Sequence, residues 1–314
     1  MAKDRPNPFN QANHKLILEF GARKPVRTGS MLITIFGDAI APHGGTVWLG
    51  SLIKVMESFG VNQRAVRTSV FRLIKDGWLI SDQIGRKSYY KLSTTGRERF
   101  DEATHRIYGE PRHEWNGTWT LAILGGVNPK HRDSIKKELS WLGFAPFSTN
   151  LMAHPAPYLR VVEDLLHQLD GHENVVIMDA TSSDSRRESL GALVHNSWDL
   201  ENLSQQYGEF LDRLRPLYQA IKRTKSLDPE TAFQARSILV HEYRRVLLRD
   251  PMLPDALLPD DWNGVAAYQL CRNIYALISP AAEEFLREHM ESADGPLPPA
   301  DPHFYQRFGG LTKP

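Results

Sequence analysis

GVNQRAVRTSVFRLIKDGWLISDQIGRKSYYKL, residues 60–92, reads as one helix followed at once by a two-stranded hairpin. The helix carries Arg64, Arg67, Thr68, Arg72 and Lys75, and the hairpin tip is Gly85-Arg86-Lys87. A basic helix with a basic-tipped hairpin behind it is the plan of a winged helix-turn-helix that docks on duplex DNA. At 3.6 residues per turn, Val66, Val70, Leu73 and Ile74 share one side, while Arg64, Thr68, Arg72 and Lys75 share the other. Gln63 and Arg67 lie on a flank, nearer the apolar side. Asn62 is a candidate N-cap and Gly77 a candidate C′ residue. Trp78-Leu79-Ile80 and Ser88-Tyr89-Tyr90-Lys91-Leu92 supply strand-like residues on either side of the polar tip.

Basic residues on a helix face are by default a solvated surface. Charge asymmetry along the chain argues for more than that. Residues 60–99 hold nine basic and three acidic side chains, and residues 1–112 carry a net +8. The whole 314-residue chain is only +1, so the remainder is −7. Positive charge gathered at one end of a near-neutral protein is an electrostatic footprint for a polyanion.

The length allows two or three domains, and 41% hydrophobic with 24% charged residues is ordinary for a globular chain. The lone cysteine, Cys271, excludes an intrachain disulfide and a cysteine-based zinc site, which fits a reducing cytoplasm. No run of about 18 apolar residues suggests a membrane span. The first residues, MAKDRPNPFNQANHK, lack the apolar stretch of a secretory signal.

Residues 1–27, with their prolines and polar residues, are expected to form a flexible arm. Residues 28–112 are expected to form the winged helix-turn-helix: a buried helix over 31–40, a break at Ala41-Pro42-His43-Gly44-Gly45, a short strand Thr46-Val47-Trp48, a helix over 49–59, then the basic helix and the wing. Ser93-Thr94-Thr95 offers an N-cap for a helix leading out to about Tyr108. Residues 113–195 read β-α-β-β-α-β, the ferredoxin-like pattern, with an open sheet face suited to dimerisation or spacing. Residues 196–314 read as mainly helical, with helices over 200–220 (containing Pro216), 229–249, 264–277 and 281–290. The Pro- and Gly-rich tail after 295 is expected to add little core. The expected fold class is therefore α+β and multidomain.

The chain resembles the phenylacetic-acid-degradation repressor family, PaaX. The resemblance rests on Ala65-Val66-Arg67-Thr68 with Arg72-Leu73 and Gly77-Trp78-Leu79, then Gly85-Arg86 with Tyr90-Lys91-Leu92 and Gly96. It continues through Trp198-Asp199-Leu200, His241-Glu242-Tyr243-Arg244-Arg245, Arg249-Asp250-Pro251 and Leu257-Leu258-Pro259 to Trp262. These motifs span about residues 28–290. The resemblance implies a cytoplasmic, dimeric transcriptional repressor without a cofactor. It implies phenylacetyl-CoA, or a related aryl-CoA thioester, as the inducer that releases the DNA operator.

On the DNA side, Arg64 and Thr68 are the candidate base readers, near the start of the outward face. Gln63 suits adenine or a phosphate. Arg67 suits a phosphate or buttresses the domain. Arg72 faces outward, with an ion pair to Asp76 as the alternative. Arg86 and Lys87 suit phosphate or minor-groove contact. Tyr89 is open between a phosphate contact and the core. On the effector side, a CoA ester needs cations for its phosphates and an apolar pocket for its acyl group. His241, Arg244, Arg245 and Arg272, with Trp262 and Tyr268, are the candidates. Pairing of Arg244 and Arg245 with Glu242, Asp260 and Asp261 is the competing reading.

Motifs for catalysis or metal binding are incomplete. His131-Arg132-Asp133 lacks the rest of a kinase, and His241-Glu242-x-x-Arg245 lacks the second histidine of a zinc protease. Gly125-Gly126 lacks a nucleotide fingerprint. No catalytic or metal residue is assigned. Two alternatives remain: a ligand-independent nucleic-acid scaffold, and a ferredoxin-like nuclease. Leu124-Gly125-Gly126 stands where such a nuclease would carry an acidic residue at the end of its first strand.

Overall fold

The computed structural model describes residues 7–23, 28–110, 115–155, 159–181 and 187–311. The chain forms two compact units, each gathered from separated stretches of sequence. The first gathers residues 1–110, 208–247 and 265–314, and the second gathers 111–207 and 248–264.

In the first unit, α2 (Thr28–Ile35) runs through a π turn (Phe36–Ile40) into a single 3-10 turn. There follow β1 (Thr46–Trp48), α3 (Leu49–Glu57), α4 (Gln63–Lys75), β2 (Leu79–Ile84), β3 (Lys87–Leu92) and α5 (Thr94–Tyr108). The strands form an antiparallel sheet in the order β1-β3-β2. Thr46, Val47 and Trp48 pair with Lys91, Tyr90 and Tyr89, so the short strand does join the wing, through β3. Gly85 and Arg86 form the two-residue connection between Ile84 and Lys87. Gly85, at φ 60°, takes the first central position, where a II′ turn requires glycine. Gly37 is fixed by packing: a Cβ there would come within 1.7 Å of the Phe100 ring.

Residues 8–21 are not an arm. They form α1 (Pro8–Gly21), which packs on α10 (Pro229–Leu247) with Phe9, Leu16 and Phe20 buried. Pro8 sits at the first helical position, where its missing N–H costs nothing, and Asn7 caps the Phe9 N–H at 2.9 Å. The two helices expected over 264–290 are one, α11 (Asn263–His289), which passes through Pro280 unbroken. The tail is also core: Leu297, Phe304 and Phe308 are buried, and β8 (Glu291–Ser292) lies beside β1.

These elements meet at Asp38, in the π turn. Its Oδ1 accepts from the hydroxyls of Tyr108 (2.7 Å) and Tyr275 (2.8 Å), and lies 3.1 Å from Arg307 Nη1. Its Oδ2 lies 3.0 Å from Nε of Arg236 in α10. Arg236 Nη1 donates to Glu283 Oε1 in α11 at 2.7 Å, and the other Glu283 oxygen faces His43 Nε2 at 2.9 Å. Two arginines and two carboxylates thus balance inside the core, with most polar atoms paired. Burial pushes the Glu283 carboxyl up, but Arg236 and His43 outweigh it and hold it at about 2.

The second unit is built on β4 (Thr118–Ile123), α6 (Pro129–Trp141), β5 (Ala145–Ser148), β6 (Leu151–His154), α7 (Leu159–His167) and β7 (Val176–Thr181). The element order is the expected β-α-β-β-α-β, and the antiparallel sheet runs β5-β6-β4-β7. Ala122, Met152, Ile135, Leu139 and Val162 form the core on one face. The other face is not open over Trp119, Ala145 and Ala153. It is closed there by Val194 of α8 (Arg187–Ser197), by Trp198, by Leu200 at the start of α9 (Leu200–Lys222), and by Leu253. Trp198 Nε1 donates to the Gly143 carbonyl at 2.9 Å, and the Tyr207 hydroxyl donates to Asp250 at 2.7 Å. The motif residues Trp198 and Asp250 therefore do structural work in this unit.

Candidate nucleic-acid interface

α4 is locally determined at both ends. The Asn62 side chain accepts from the Ala65 N–H at 2.9 Å. At the other end Gly77 (φ 74°) donates to the Ile74 carbonyl, and Trp78 donates to that of Leu73, the paired bonds of a Schellman motif. Val66, Val70 and Leu73 are buried, and the helix packs on α2 and α3. Gln63, Arg64, Arg67, Thr68, Arg72 and Lys75 are exposed.

The basic residues differ in their surroundings. Arg64, Arg72 and Arg86 enter no ion pair among the described residues, so the alternative pairing of Arg72 with Asp76 is not made. Arg67 is exposed rather than at the core edge. With the Gln63 amide turned so that its oxygen faces Arg67, that oxygen accepts from Arg67 Nε at 3.1 Å and Nη2 at 2.8 Å. Lys87 is committed elsewhere. Its ammonium pairs with Glu291 of β8 and stands 4.4 Å from the Trp48 ring centroid. The hydrogen bond to Glu291 raises the Lys87 pKa. Tyr89 is only 5% exposed and belongs to the core, which removes it from the contact set. Its partner in the register is Trp48, itself partly buried.

One exposed residue escaped the sequence reading. Phe71 is 69% exposed, more than any other large apolar side chain among the described residues. The signal was present: Phe71 is seven residues after Arg64 and three after Thr68, and so shares their face.

The effector candidates are dispersed in role. Trp262 belongs to the second unit, edge-on to Tyr207 at 5.6 Å; the other five belong to the first. His241 is enclosed, with Nδ1 3.1 Å from Thr34 Oγ1 and its ring edge-on to Phe20. Burial is the main cause that lowers its pKa to about 4. Arg245 lies 3.9 Å from Glu242, as the competing reading expected, but the main partners of Glu242 are Arg23 (2.6 Å) and Arg213 (2.6 Å). Burial pushes the Glu242 carboxyl up, and Arg23 outweighs it and brings it below its ordinary value. Arg244 has no carboxylate partner among the described residues, and burial lowers its pKa. Tyr268 is buried beside Phe308, its hydroxyl without a hydrogen-bond partner among the described residues. Arg272 stands one turn further along α11.

The second unit contains a cavity of about 880 Å³ lined by Trp115, Thr181, Leu190, Val194, Leu257 and Leu258, among others. None of its described lining residues is a lysine or arginine. Among the described residues no cluster of His, Cys, Asp or Glu could hold a metal ion, and no helix is long and apolar enough to cross a membrane.

Comparison with known proteins follows the same course along the chain. Residues 27–96 match the PaaX-like protein family, 112–190 the PaaX protein central Cas2-like domain, and 198–288 the PaaX-like protein C-terminal domain. The transcriptional repressor PaaX of Escherichia coli (strain K12) is 39% identical over 290 residues, covering 92% of each chain. An uncharacterised protein of Mycobacterium tuberculosis with a solved structure is 20% identical, covering 74% of this chain and 88% of that one, with a TM-score of 0.47. The identity to the Escherichia coli repressor extends across nearly the whole length, and on that ground the chain belongs to the PaaX family.

Proposed function

We propose that the protein is a DNA-binding transcriptional repressor of a phenylacetate-type aromatic-acid catabolic operon. In this reading residues 28–112 are a winged helix-turn-helix, with α4 in the major groove and the Gly85-Arg86 tip on the adjacent backbone. The β-α-β-β-α-β segment is ferredoxin-like and contributes to a homodimer, whose twofold axis suits an inverted-repeat operator. The protein acts in the cytoplasm and carries no cofactor. The observation that carries the reading is the outward face of α4, where Arg64, Thr68, Arg72 and Lys75 stand exposed and no carboxylate among the described residues pairs with Arg64 or Arg72.

Phenylacetyl-CoA or a related aryl-CoA thioester releases the operator. Support comes from the first unit, where Arg244 is a partly buried cation without a carboxylate partner among the described residues and Arg272 is a second cation suited to phosphate. His241 and Arg245 are better accounted for by packing and by Glu242.

A footprint on the region upstream of the protein's own operon, with and without aryl-CoA thioesters, tests both parts. Protection that is lost on adding the thioester is the expected result. Protection that persists leaves a ligand-independent DNA-binding scaffold, and cleavage of the duplex in a divalent-metal buffer returns the nuclease alternative.

A further inference from the structure

Phe71 has no structural task that accounts for its position. It contributes little to the core, since it is 69% exposed while its neighbours Val70 and Leu73 are buried. A single exposed apolar side chain is unremarkable on most surfaces. Here it stands at the Arg64 edge of a face whose other members are Arg64, Thr68, Arg72 and Lys75, all exposed, with exposed Arg67 on its other side. At 100° per residue, Phe71 lies within about 20° of Arg64 and 40° of Lys75. An occupant of this face must therefore accept several cations and also offer something apolar beside Arg64.

A DNA major groove meets both demands. Its phosphates and guanine edges satisfy the cations, and the C5-methyl of thymine is the apolar group that projects into it. A protein surface acidic enough for the cations would lose charged hydration beside the ring, whereas a thymine methyl is flanked by acceptors already. We propose that Phe71 is a specificity-determining contact that seats its ring against a thymine methyl. The inference rests on the DNA-binding reading above. With a rise of 1.5 Å per residue, Phe71 is roughly 10 Å along α4 from Arg64, which places the thymine about three base steps from the base that Arg64 reads.

The test uses the full-length protein and duplexes selected by it from a random-sequence library. Each thymine of the selected site is replaced in turn by deoxyuridine, which lacks only the methyl, and affinity is measured by mobility shift at fixed salt. Loss of one buried methyl contact predicts about a fourfold weakening at one thymine, or at one symmetric pair. Phe71→Ala should bind the thymine duplex more weakly and no longer distinguish thymine from uracil there. Phe71→Leu should keep part of the discrimination. Because the side chain is exposed, both variants should melt as the wild type does. A wild type indifferent to every replacement overturns the inference, and so does an Ala variant that keeps the wild-type ratio. An Ala variant that keeps the ratio but becomes monomeric in sedimentation assigns Phe71 to contact between copies instead. A wild type that selects no duplex at all sinks the DNA-binding reading, and this inference with it.

Discussion

Lys87 on the wing is paired with Glu291, 204 residues further along the chain, in the hairpin that follows α11. Adjacent Arg86 makes no such pair among the described residues. Two neighbouring cations on one turn are thus unequal: one is free for a phosphate, and the other is held by the protein's own carboxylate.

Glu291→Gln is expected to tighten DNA binding. It removes the competitor for Lys87 without removing the cation, so one more phosphate can be neutralised. The plot of log affinity against log salt should steepen by about one unit. An unchanged or shallower slope in a salt titration would show that Lys87 does not reach the DNA.

Arg64 and Arg86 should separate base reading from phosphate contact. Arg64→Ala is expected to cost about 1–3 kcal/mol on the preferred duplex and much less on unrelated sequence. Arg86→Ala should weaken all duplexes by a similar factor and reduce the salt slope by about one unit. If both variants show the same ratio of specific to nonspecific affinity, the assignment is wrong.

Arg236→Met should be severe although it lies far from α4 in sequence. It leaves Asp38 and Glu283 buried without their main counter-charge, a change that typically costs about 3–5 kcal/mol. Urea denaturation measures it, and a loss below about 1 kcal/mol would mean that the network relaxes around the vacancy. Phe20→Ala, in α1, should cost a similar amount, about 3–5 kcal/mol, by opening a cavity beside Phe59 and His241.

Stability should fall on acidification from neutral pH. His241 has its pKa lowered from 6.5 to about 4, mainly by burial; Glu242 opposes the shift, and Arg244, Arg23 and Arg245 add to it. The unfolded chain therefore takes up this proton first, and between about pH 6.5 and 4 stability declines by up to about 1.4 kcal/mol per pH unit. Glu283, held at about 2 against 4.5, adds a second loss as pH falls below 4.5. Denaturant midpoints at pH 7, 6 and 5 should decrease in that order, with a weaker decrease in His241→Asn. A flat profile in the wild type contradicts this account.

Much of the first unit is legible from local signals. Asn62 and Gly77 bracket a run in which Val66, Val70 and Leu73 recur at helical spacing, and each of these residues keeps its expected place. Ser93 caps α5 by accepting from Gly96. α1 is less legible because Pro8 resembles a chain breaker until a helix is known to start on it. Its burial also depends on α10: Asn13 bonds Gln234, 221 residues away. The tail misleads for the same reason. Leu297, Phe304 and Phe308 lie among prolines and glycines and show no period, yet packing buries all three. Tyr89 could not be assigned from sequence because strand alternation leaves two faces, and only packing in the folded chain buries it.

The sequence by itself determined the caps, the helical and strand periods, the gathering of positive charge before residue 112, and membership of the family. These depend on neighbours within a few residues or on composition, so they need no knowledge of the fold. Tertiary structure decided which charges are free. Arg236, Arg244, Lys87 and Arg86 are all cations in the sequence, but one is locked between Asp38 and Glu283, one is partly buried with its pKa lowered by that burial, one is paired with Glu291 and one is exposed. Burial and long-range pairing set the energy of a charge, and both come only from segments that the chain brings together on folding.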